Sequence, residues 1–333
     1  MEKTKISNTD MEASRIGLGT WAIGGWMWGG TDEQQSIDTI HAALDHGITL
    51  VDTAPVYGFG KSEEIVGKAI QKAQQSRDEI ILATKAGIEW DDDGNVHRNA
   101  SKDRLRKELE DSLKRLQTDY IDIYQVHWPD PLVDIQETAE VMNEFYEEGK
   151  IRAVGVSNYS VEQMEAFREV APLHVLQPPY NLFEREAEEE LLPYTAKNDI
   201  TTLLYGSLCR GMLSGKMSLD REFKGDDLRN VDPKFQEPRF SQYLEATQKL
   251  DNLARDRHGK EVIHLALRWM LQQEGANIAL WGARRPGQMN PISEIFDWKL
   301  TDEELKEIDS ILEETIKDPV GPEFIGPPSR EES

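Results

Sequence analysis

The chain has 333 residues and a formal net charge of −24, from 62 acidic and 38 basic side chains, so it is a poor partner for nucleic acid or anionic membranes. A hydrophobic fraction of 38% excludes a disordered polymer, and the single cysteine, Cys209, excludes an internal disulfide. The N-terminus has no apolar secretory segment and no apolar run approaches the roughly 18 residues of a membrane span, so we expect a cytoplasmic protein.

Short apolar segments alternate with amphipathic segments along the chain. The pattern predicts eight strands, at residues 16–22, 49–54, 79–85, 121–127, 151–158, 174–180, 200–207 and 278–283. It predicts helices at 33–47, 62–72, 102–117, 135–148, 161–170, 186–198, 239–257, 260–273, 289–296 and 302–315. The strands are apolar and β-branched without clean alternation, which is typical of parallel strands buried on both faces. Eight strand–helix units favour a closed (α/β)8 TIM barrel, and an open doubly wound sheet is the alternative on periodicity alone.

Three segments depart from the repeat. Residues 1–12 are predicted to form a short hairpin over the bottom of the barrel. Residues 208–238 contain several glycines and prolines and are predicted to be a long loop after the seventh strand, and loops of this length usually have a function. Residues 318–333 are rich in proline and are predicted to be an irregular tail. The chain is therefore predicted to be one domain, residues 1–333, with a core of about 15–315.

Ionisable side chains lie at the ends of three predicted strands: Asp52 in TLVDT, Lys85 in ILATK and His127 in DIYQVH. Active sites of eight-stranded barrels lie at the C-terminal ends of the strands, and neighbouring strands are about 4.8 Å apart, so we expect these groups to lie within roughly 10 Å. Tyr57 follows in a loop that can fold over the same face. Since an ammonium favours the phenolate, Lys85 is expected to lower the pKa of Tyr57, which would protonate a carbonyl oxygen.

Two other interpretations of these side chains stay open. In the first, Asp52 and Lys85 form a structural ion pair beside a core histidine and a surface tyrosine. In the second, Asp52 and His127 ligate a metal ion. The sequence has no HxH or HExxH pair and no nearby cysteine, so we predict no metal site.

Several segments together resemble the aldo-keto reductase superfamily, from about residue 15 to 315: RIGLGTW, TLVDTAPVYGFGKSEEIVGKAI, ATK, DYIDIYQVHWPD, GKIRAVGVSN and QPPYNLFER. The segments YGSLCRGMLSGK and ALWGARRPGQ are similar to its bacterial general-stress branch. The resemblance implies a TIM barrel, a stress-related role, and an NADP(H)-dependent oxidoreductase that interconverts small aldehydes or ketones and alcohols by direct hydride transfer. It also implies a catalytic tetrad of Asp52, Tyr57, Lys85 and His127, with Tyr57 as general acid in reduction and general base in oxidation.

The resemblance further implies three groups of NADP(H)-binding residues. Those near the nicotinamide and its ribose are Thr20, Trp21, Asp52, Ser157, Asn158, Gln177 and Tyr205. Those around the pyrophosphate are Gly206, Ser207, Leu208, Cys209 and Arg210, with Lys216 and Arg229 from the long loop. Those at the adenine and the 2′-phosphate are Gly282, Ala283, Arg284 and Gln288, because a guanidinium suits a phosphate. Many family members carry glutamate and asparagine a few residues after Gln288, whereas this chain has Pro291 and Ile292, so the preference for NADP over NAD stays open.

Aromatic side chains at the expected barrel mouth predict the substrate pocket. Its residues are Trp21, Trp28, Tyr57, His127 and Trp128, with Trp26 nearby. The expected partner is a small carbonyl compound or alcohol, not nucleic acid or a membrane. The alternative function is a cofactor-binding regulatory subunit, as in the ion-channel β subunits that resemble this superfamily, but the intact tetrad favours turnover.

The long loop at residues 208–238 is expected to move. It begins at the catalytic end of the predicted barrel and contains glycines that absorb backbone rotation. It carries Arg210, Lys216 and Arg229, which without a cofactor would have no anion to hold. We therefore expect the loop to close over a bound pyrophosphate and to open for its release.

Overall fold

The computed structural model describes residues 1–331, which form a closed barrel of eight parallel strands surrounded by helices. Within these residues the strands are β1 (Lys3–Lys5), β2 (Glu12–Ser14), β3 (Ile16–Gly19), β4 (Leu50–Asp52), β5 (Ile81–Ala86), β6 (Ile88–Trp90), β7 (Val96–Arg98), β8 (Ile121–Val126), β9 (Ile151–Ser157), β10 (Val175–Gln177), β11 (Thr201–Leu204) and β12 (Ile278–Gly282). The α-helices are α1 (Trp21–Gly24), α2 (Glu33–Asp45), α3 (Lys61–Gln71), α4 (Lys102–Leu116), α5 (Ile135–Glu147), α6 (Val161–Arg168), α7 (Leu191–Lys197), α8 (Arg239–His258), α9 (Val262–Gln272) and α10 (Asp302–Thr315). The predicted TIM barrel is confirmed, and the open sheet is excluded.

The barrel strands follow one another around the axis as β3, β4, β5, β8, β9, β10, β11 and β12, and β12 closes the barrel by pairing with β3. Every residue of β5 and β8 is buried, as expected for strands covered on both faces. The register places Asp52 beside Gly19 and Ala83, and Lys85 beside Gln125. Strand pairing therefore fixes where the side chains at the strand ends lie relative to one another.

The predicted N-terminal hairpin is confirmed. Strands β1 and β2 pair antiparallel, with Lys3 opposite Ser14. The apolar side chains of the hairpin, Ile6, Met11 and Ala13, join a buried cluster with residues from the barrel strands. The hairpin thus closes the end of the barrel opposite the predicted active site.

Capping signals in the sequence define the starts of several helices. Helix α2 follows Asp32, whose carboxylate accepts a hydrogen bond from the Gln35 N–H over 2.8 Å. Helix α10 begins with a capping box between Thr301 and Glu304. No helix among residues 1–331 is long and apolar enough to cross a membrane.

The structure corrects several predicted elements. The first barrel strand ends at Gly19, and Trp21 begins helix α1 instead of continuing the strand. The predicted helix 186–198 is divided into a short 3-10 helix and α7. The predicted helix 289–296 is a 3-10 helix, Pro286–Glu294, because Pro291 lacks the N–H that an α-helix requires. The β6–β7 hairpin was not predicted, although the sequence DDDGN between its strands is a turn signal.

The predicted long loop at 208–238 contains short 3-10 turns at Cys209–Ser214, Leu228–Asn230 and Pro233–Phe235, the first of them interrupted by a kink at Arg210 and Gly211. The C-terminal tail is irregular apart from one 3-10 turn, as predicted. Its Gly321 carbonyl accepts a hydrogen bond from Lys234 Nζ, and its Pro327 carbonyl accepts one from Arg98 Nε. The tail therefore lies across the C-terminal face of the barrel. Residues 332–333 of the predicted tail lie outside the described residues.

Candidate active site

The four side chains of the predicted tetrad meet at the C-terminal ends of the barrel strands. Lys85 Nζ lies 2.7 Å from Asp52 Oδ2 and 3.4 Å from Tyr57 OH. The rings of Tyr57 and His127 meet edge to face, with centroids 5.8 Å apart. Asp52 and Lys85 are buried and belong to adjacent strands, so the barrel holds this ion pair rigidly. The predicted convergence is confirmed, and the catalytic role of the four residues stays a prediction.

Close packing of two loops positions Tyr57. Gly58 adopts a φ of +67°, and a Cβ at this position would lie 2.2 Å from the Gly24 carbonyl oxygen, so a side chain cannot be accommodated. This contact presses the Tyr57 loop against helix α1. There the Trp21 ring stacks on the Tyr57 ring, with centroids 6.0 Å apart and an interplanar angle of 23°. The orientation of the phenol is therefore set by backbone contact and by ring stacking together.

Burial dominates the acid–base properties of the tetrad. Burial, and then the Asp52 carboxylate, raises the pKa of Tyr57 well above its ordinary value. Burial lowers the pKa of Lys85 against the opposing effect of Asp52. Burial, and then Lys85, lowers the pKa of His127, so its imidazole is neutral at neutral pH. The expected lowering of the Tyr57 pKa is not found in the protein alone, where the pKa is raised and the phenol stays protonated.

The Asp52 carboxylate is held by amides as well as by Lys85. Its Oδ1 atom accepts hydrogen bonds from Gln177 Nε2 over 2.9 Å and from Gln125 Nε2 over 3.3 Å. The sequence-based prediction missed Gln125, although alternation along β8 places it on the same face as His127. The Thr20 hydroxyl donates to the Asp52 carbonyl over 2.9 Å. Two predicted cofactor residues, Thr20 and Gln177, therefore support the tetrad directly.

The remaining predicted nicotinamide residues form a connected set of hydrogen bonds. Ser157 Oγ donates to the Gln177 carbonyl over 2.8 Å. Asn158 Nδ2 donates to the His127 carbonyl over 3.0 Å, and Tyr205 OH donates to Asn158 Oδ1 over 2.8 Å. Asn158 has a φ of +60°, a conformation that asparagine tolerates better than most residues. These contacts tie the ends of β9, β10 and β11 to the tetrad.

Two indole N–H groups at the mouth are buried without a hydrogen-bond acceptor, Trp21 Nε1 and Trp28 Nε1. Their rings meet edge to face at 5.7 Å. Leaving a buried donor unpaired costs about 1–3 kcal/mol. Since Trp21 also stacks on Tyr57, an acceptor from a ligand would relieve this cost directly beside the tetrad.

The backbone after β11 has an unusual conformation. Cys209 and Arg210 have positive φ angles of 44° and 53°, which are uncommon for residues other than glycine and carry strain. Burial raises the pKa of the Cys209 thiol to about 12, so it stays protonated. The Arg210 guanidinium forms ion pairs with Glu184 and Asp232, each over 2.5 Å. Arg210 therefore does have anions to hold, and that premise of the predicted loop movement is wrong for this residue.

A cavity of about 590 Å³ beside the long loop has four basic and three acidic side chains in its lining, which consists of Trp28, Gly29, Ser218, Asp220, Arg221, Glu222, Phe223, Lys224, Asp227, Arg229 and Arg284. Arg284 Nη1 donates to the Trp28 carbonyl over 2.8 Å, and the burial of Arg284 and the nearby Arg229 lower its pKa. Arg229 is paired with Asp227 through two hydrogen bonds of 2.9 and 2.6 Å and lies over the rings of Phe223 and Trp28. The premise of an unpaired cation is thus wrong for Arg229 too.

The other residues predicted to bind the adenine end have mixed environments. Gln288 Oε1 accepts hydrogen bonds from the backbone N–H groups of Arg284 and Arg285, so it caps its own 3-10 helix. Ile292, one of the two positions at which this chain departs from the family pattern, is buried and packs in the hydrophobic core. Gly282 at the adenine end is exposed and Ala283 is buried, and Lys216, predicted to lie at the pyrophosphate, is exposed.

The predicted aromatic residues at the mouth belong to a larger apolar surface. Trp26 packs against Phe59 with ring centroids 5.0 Å apart, and Phe59 packs against Trp90 at 5.7 Å. Trp128 joins the same cluster. The sequence-based prediction missed Trp90 because the β6–β7 hairpin that carries it was itself missed, and it also missed Phe59, which lies in the Tyr57 loop and packs against Trp90. No group of three or more His, Cys, Asp or Glu side chains suited to a metal ion occurs within residues 1–331.

Comparison with known proteins agrees with this geometry. Residues 15–313 match the sequence model of the Aldo/keto reductase family. The chain is 67% identical to aldo-keto reductase YhdN of Bacillus subtilis (strain 168), over 100% of both chains. It is 37% identical to an NADH-specific methylglyoxal reductase of Escherichia coli (strain K12), over 87% of this chain and 91% of that protein. The structure of a glycerol dehydrogenase from Gluconobacter oxydans is similar, with a TM-score of 0.87, 51% identity, and coverage of 97% of this chain and 99% of that one.

Proposed function

This chain belongs to the aldo/keto reductase family, and we propose that it interconverts small aldehydes or ketones and alcohols with NADP(H), using Tyr57 as general acid and base. The observation that carries the proposal is the position of the Tyr57 hydroxyl, 3.4 Å from an ammonium that is itself paired with Asp52. The similarity to a methylglyoxal reductase and a glycerol dehydrogenase favours short, oxygen-rich substrates.

Each residue of the tetrad has a distinct task in this reaction. In reduction, Tyr57 donates its proton to the substrate oxygen, and the Lys85 ammonium stabilises the phenolate that remains. The neutral His127 imidazole donates a hydrogen bond to the same oxygen. Asp52 keeps Lys85 charged in spite of its burial, and in oxidation the Tyr57 phenolate accepts the proton. The bound NADP(H) supplies or accepts the hydride.

The residues around the mouth fit a dinucleotide. The unpaired indole donors of Trp21 and Trp28 need acceptors, which ribose and phosphate oxygens provide. The positive φ angles at Cys209 and Arg210 turn the backbone sharply after β11, where the pyrophosphate is expected. The exposed Gly282 has open space where a Cβ would stand. We propose that the predicted cofactor residues surround the nicotinamide, pyrophosphate and adenine in that order, with Arg210 contributing through its backbone because its guanidinium is already paired.

We propose a preference for NADP(H) over NAD(H), based on the two neighbouring arginines in the lining of the cavity beside the long loop, Arg229 and Arg284. Arg284 lies within reach of Arg229, and the mutual repulsion of these cations would be relieved by a phosphate dianion. Asp227 neutralises Arg229, so Arg284 is the cation expected to discriminate between the cofactors. The NADH-specific relative shows that similar proteins differ in this property.

Other aspects of the proposal rest on composition. We propose that the partner is a small-molecule substrate, since the net charge of −24 disfavours nucleic acid and anionic membranes. The cytoplasmic location and the link to stress response stay predictions from the sequence.

The proposal is tested by the loss of NADPH absorbance with methylglyoxal and other short aldehydes, and by NADP+ reduction with glycerol. The Tyr57→Phe variant should bind the cofactor but lose roughly 10²–10⁴-fold in kcat, because the ring stays and the proton donor is removed. Tyr194→Phe, which removes a hydroxyl bonded to Arg168 on the outer helices, is the matched control. Near wild-type kcat in Tyr57→Phe would refute the assignment, and NADPH binding without any turnover would support the regulatory alternative.

A further inference from the structure

Gln125 occupies the centre of the barrel directly below the tetrad. It lies on β8 beside Lys85 of β5 and is completely buried. Its amide contacts two groups already described: Nε2 donates to Asp52 Oδ1 over 3.3 Å, and Oε1 accepts from Gln177 Nε2 over 3.1 Å. An apolar side chain would fill this position at lower desolvation cost, so the buried amide has to be explained by what it contacts.

The contacts of Gln125 determine which way the Gln177 amide faces. Gln177 Nε2 has two acceptors, Asp52 Oδ1 at 2.9 Å and Gln125 Oε1 at 3.1 Å. If the amide were reversed, its carbonyl oxygen would face these two oxygens and be repelled by both. The NH2 group of Gln177 is thus already bonded within the protein. The side-chain oxygen, Oε1, is the atom that can accept a hydrogen bond from a ligand.

The neighbouring strand leaves room for this arrangement. Gly155 of β9 lies beside Gln125 in the register, and a Cβ there would come within 2.7 Å of Gln125 Cγ and 3.2 Å of Val175 Cβ. Any larger residue would displace the Gln125 side chain. A glycine inside a barrel strand has a conformational cost, which is offset here by the space it leaves for the amide.

We propose that Gln125 is a positioning residue: it fixes the orientation of the Gln177 amide and holds the Asp52 carboxylate against Lys85. This inference rests on the proposed function. Through Gln177, Gln125 presents a hydrogen-bond acceptor to a carboxamide NH2. Through Asp52, it spreads the carboxylate charge that faces Lys85 and Tyr57. One buried amide thereby links the part of the site that receives the nicotinamide to the proton donor.

The variant that tests both contacts is Gln125→Met, which keeps the length of the side chain and removes the amide. NADP+ affinity should fall roughly three- to tenfold, as for one lost neutral hydrogen bond, whereas the affinity for adenosine 2′,5′-bisphosphate, which lacks the nicotinamide, should not change. The pH at which alcohol oxidation reaches half its maximal rate should rise, because the less delocalised Asp52 charge disfavours the Tyr57 phenolate. The kcat should fall roughly tenfold, less than the roughly 10²–10⁴-fold contribution of a general acid.

Two further variants make the test decisive. In Gln125→Glu the new carboxyl group faces Asp52 Oδ1 and must hold a proton, so it keeps both a donor for Asp52 and an acceptor for Gln177 Nε2. It should recover NADP+ binding relative to Gln125→Met, and it carries the test if the methionine variant does not fold. Tyr124→Phe removes a buried hydroxyl without a hydrogen-bond partner on the same strand and should behave as the wild type. The proposal is overturned if Gln125→Met keeps wild-type NADP+ affinity and pH dependence, or if it loses affinity for both ligands equally.

Failure of the proposed function is distinguished by the wild type. If wild-type protein oxidises no NADPH, or if Tyr57→Phe turns over normally, the proposed function fails, and the comparison of NADP+ with adenosine 2′,5′-bisphosphate still decides the role of Gln125. If Tyr57→Phe is inactive and Gln125→Met is unchanged in both measurements, the proposed function stands and the positioning role is wrong.

Discussion

Two buried charged clusters lie at the catalytic end of the barrel and are built in different ways. The strand-end cluster consists of Asp52, Tyr57, Lys85 and His127, and its ion pair joins adjacent barrel strands whose register fixes it. The loop cluster consists of Glu184, Arg210, Asp232 and Lys234, all from connections outside the barrel strands. In the loop cluster two anions face two cations. In the strand-end cluster, by contrast, the Asp52–Lys85 ion pair lies beside the neutral side chains of Tyr57 and His127, which can serve a ligand.

This difference indicates that the loop cluster has a structural role and the strand-end cluster a chemical one. The balanced loop cluster has no charge left over for a ligand, so its task is to hold the strained backbone at residues 209–210 and to anchor the tail through Lys234 and Gly321. The strand-end cluster gets its geometry from the barrel and can devote its polar groups to chemistry. Breaking the first should therefore cost stability with little loss of turnover by the folded protein, whereas breaking the second, which is also a buried ion pair, should cost turnover in addition to stability.

The largest expected effect is on turnover, in Lys85→Met. The variant removes the ammonium 3.4 Å from the Tyr57 hydroxyl and leaves Asp52 with only amide donors. We expect kcat to fall roughly 10²–10⁴-fold, because the phenolate formed on proton transfer loses its stabilising charge. The measurement is NADPH oxidation at saturating aldehyde. Lys68→Met, which removes a half-exposed partner of Glu33, is the control. A kcat within a few fold of wild type in Lys85→Met would contradict the chemical role of the strand-end cluster.

The next largest effect is on stability, in Asp232→Ala. This change leaves two buried cations facing the single carboxylate of Glu184. Removing one partner of a buried ion pair costs about 3–5 kcal/mol, so the free energy of unfolding in urea should fall by that amount. Asp318→Ala removes the exposed partner of Arg239 and should cost at most about 1 kcal/mol. Equal losses in the two variants would show that the loop cluster does not hold the fold.

The same contrast explains what the sequence could predict. The positions of Asp52, Lys85 and His127 could be predicted from strand periodicity, since the C-terminal ends of all parallel barrel strands lie at the same face. Arg210 was predicted as a cation for the pyrophosphate, but Glu184 and Asp232, 26 and 22 positions away in the chain, neutralise it. Ion pairs between loops depend on the folded path of each loop, which local patterns do not specify.

Burial was the other quantity that the sequence did not provide. The pKa of Tyr57 was expected to be lowered by Lys85, but it is raised, because burial and the Asp52 carboxylate both disfavour the phenolate. Gln125 was missed for a related reason. A glutamine within an apolar strand has no charge to draw attention, and its importance appears only when three strands bring it to Asp52 and Gln177.

A smaller effect is expected on cofactor choice, in Arg284→Ala. The wild type should bind NADPH more tightly than NADH, and the variant should lose roughly 1.5–3 kcal/mol of that difference, the value of a charge-assisted hydrogen bond. Arg285→Ala, which removes an adjacent exposed guanidinium, should change the difference less. Dissociation constants measured by fluorescence titration test this. Equal affinities of the wild type for both cofactors would contradict the role assigned to Arg284.

The smallest expected effect separates the two parts of the long segment. Asp226 accepts hydrogen bonds from the Met27 and Gly29 N–H groups over 2.7 and 3.0 Å, and Leu228 N donates to the Met27 carbonyl over 2.9 Å. Residues 218–229 are thus already fastened to the loop after β3, by two exposed bonds to Asp226 that solvent weakens and by one backbone bond, at the buried Leu228, worth about 0.5–1.5 kcal/mol. Residues 209–214 are held by the loop cluster. Opening for cofactor exchange should therefore involve residues 218–229 and should not involve residues 209–214.

Hydrogen exchange on the Asp226→Ala variant tests this expectation. Amides at 218–229 should exchange faster than in the wild type, by the roughly tenfold or less that one or two weak hydrogen bonds allow, and saturating NADP+ should slow them in both proteins. Amides at 211–214 should respond to neither change, because the ion pairs of Arg210 persist without a ligand, whereas amides at 209–210 lie where the pyrophosphate is expected and are left out of the comparison. A cofactor can shift the position of a loop only through contacts that differ between the open and closed states. If NADP+ protected both stretches equally, the whole of 208–238 would move as one clamp. If it protected neither, the segment would be a fixed part of the barrel mouth, and cofactor exchange would need another route.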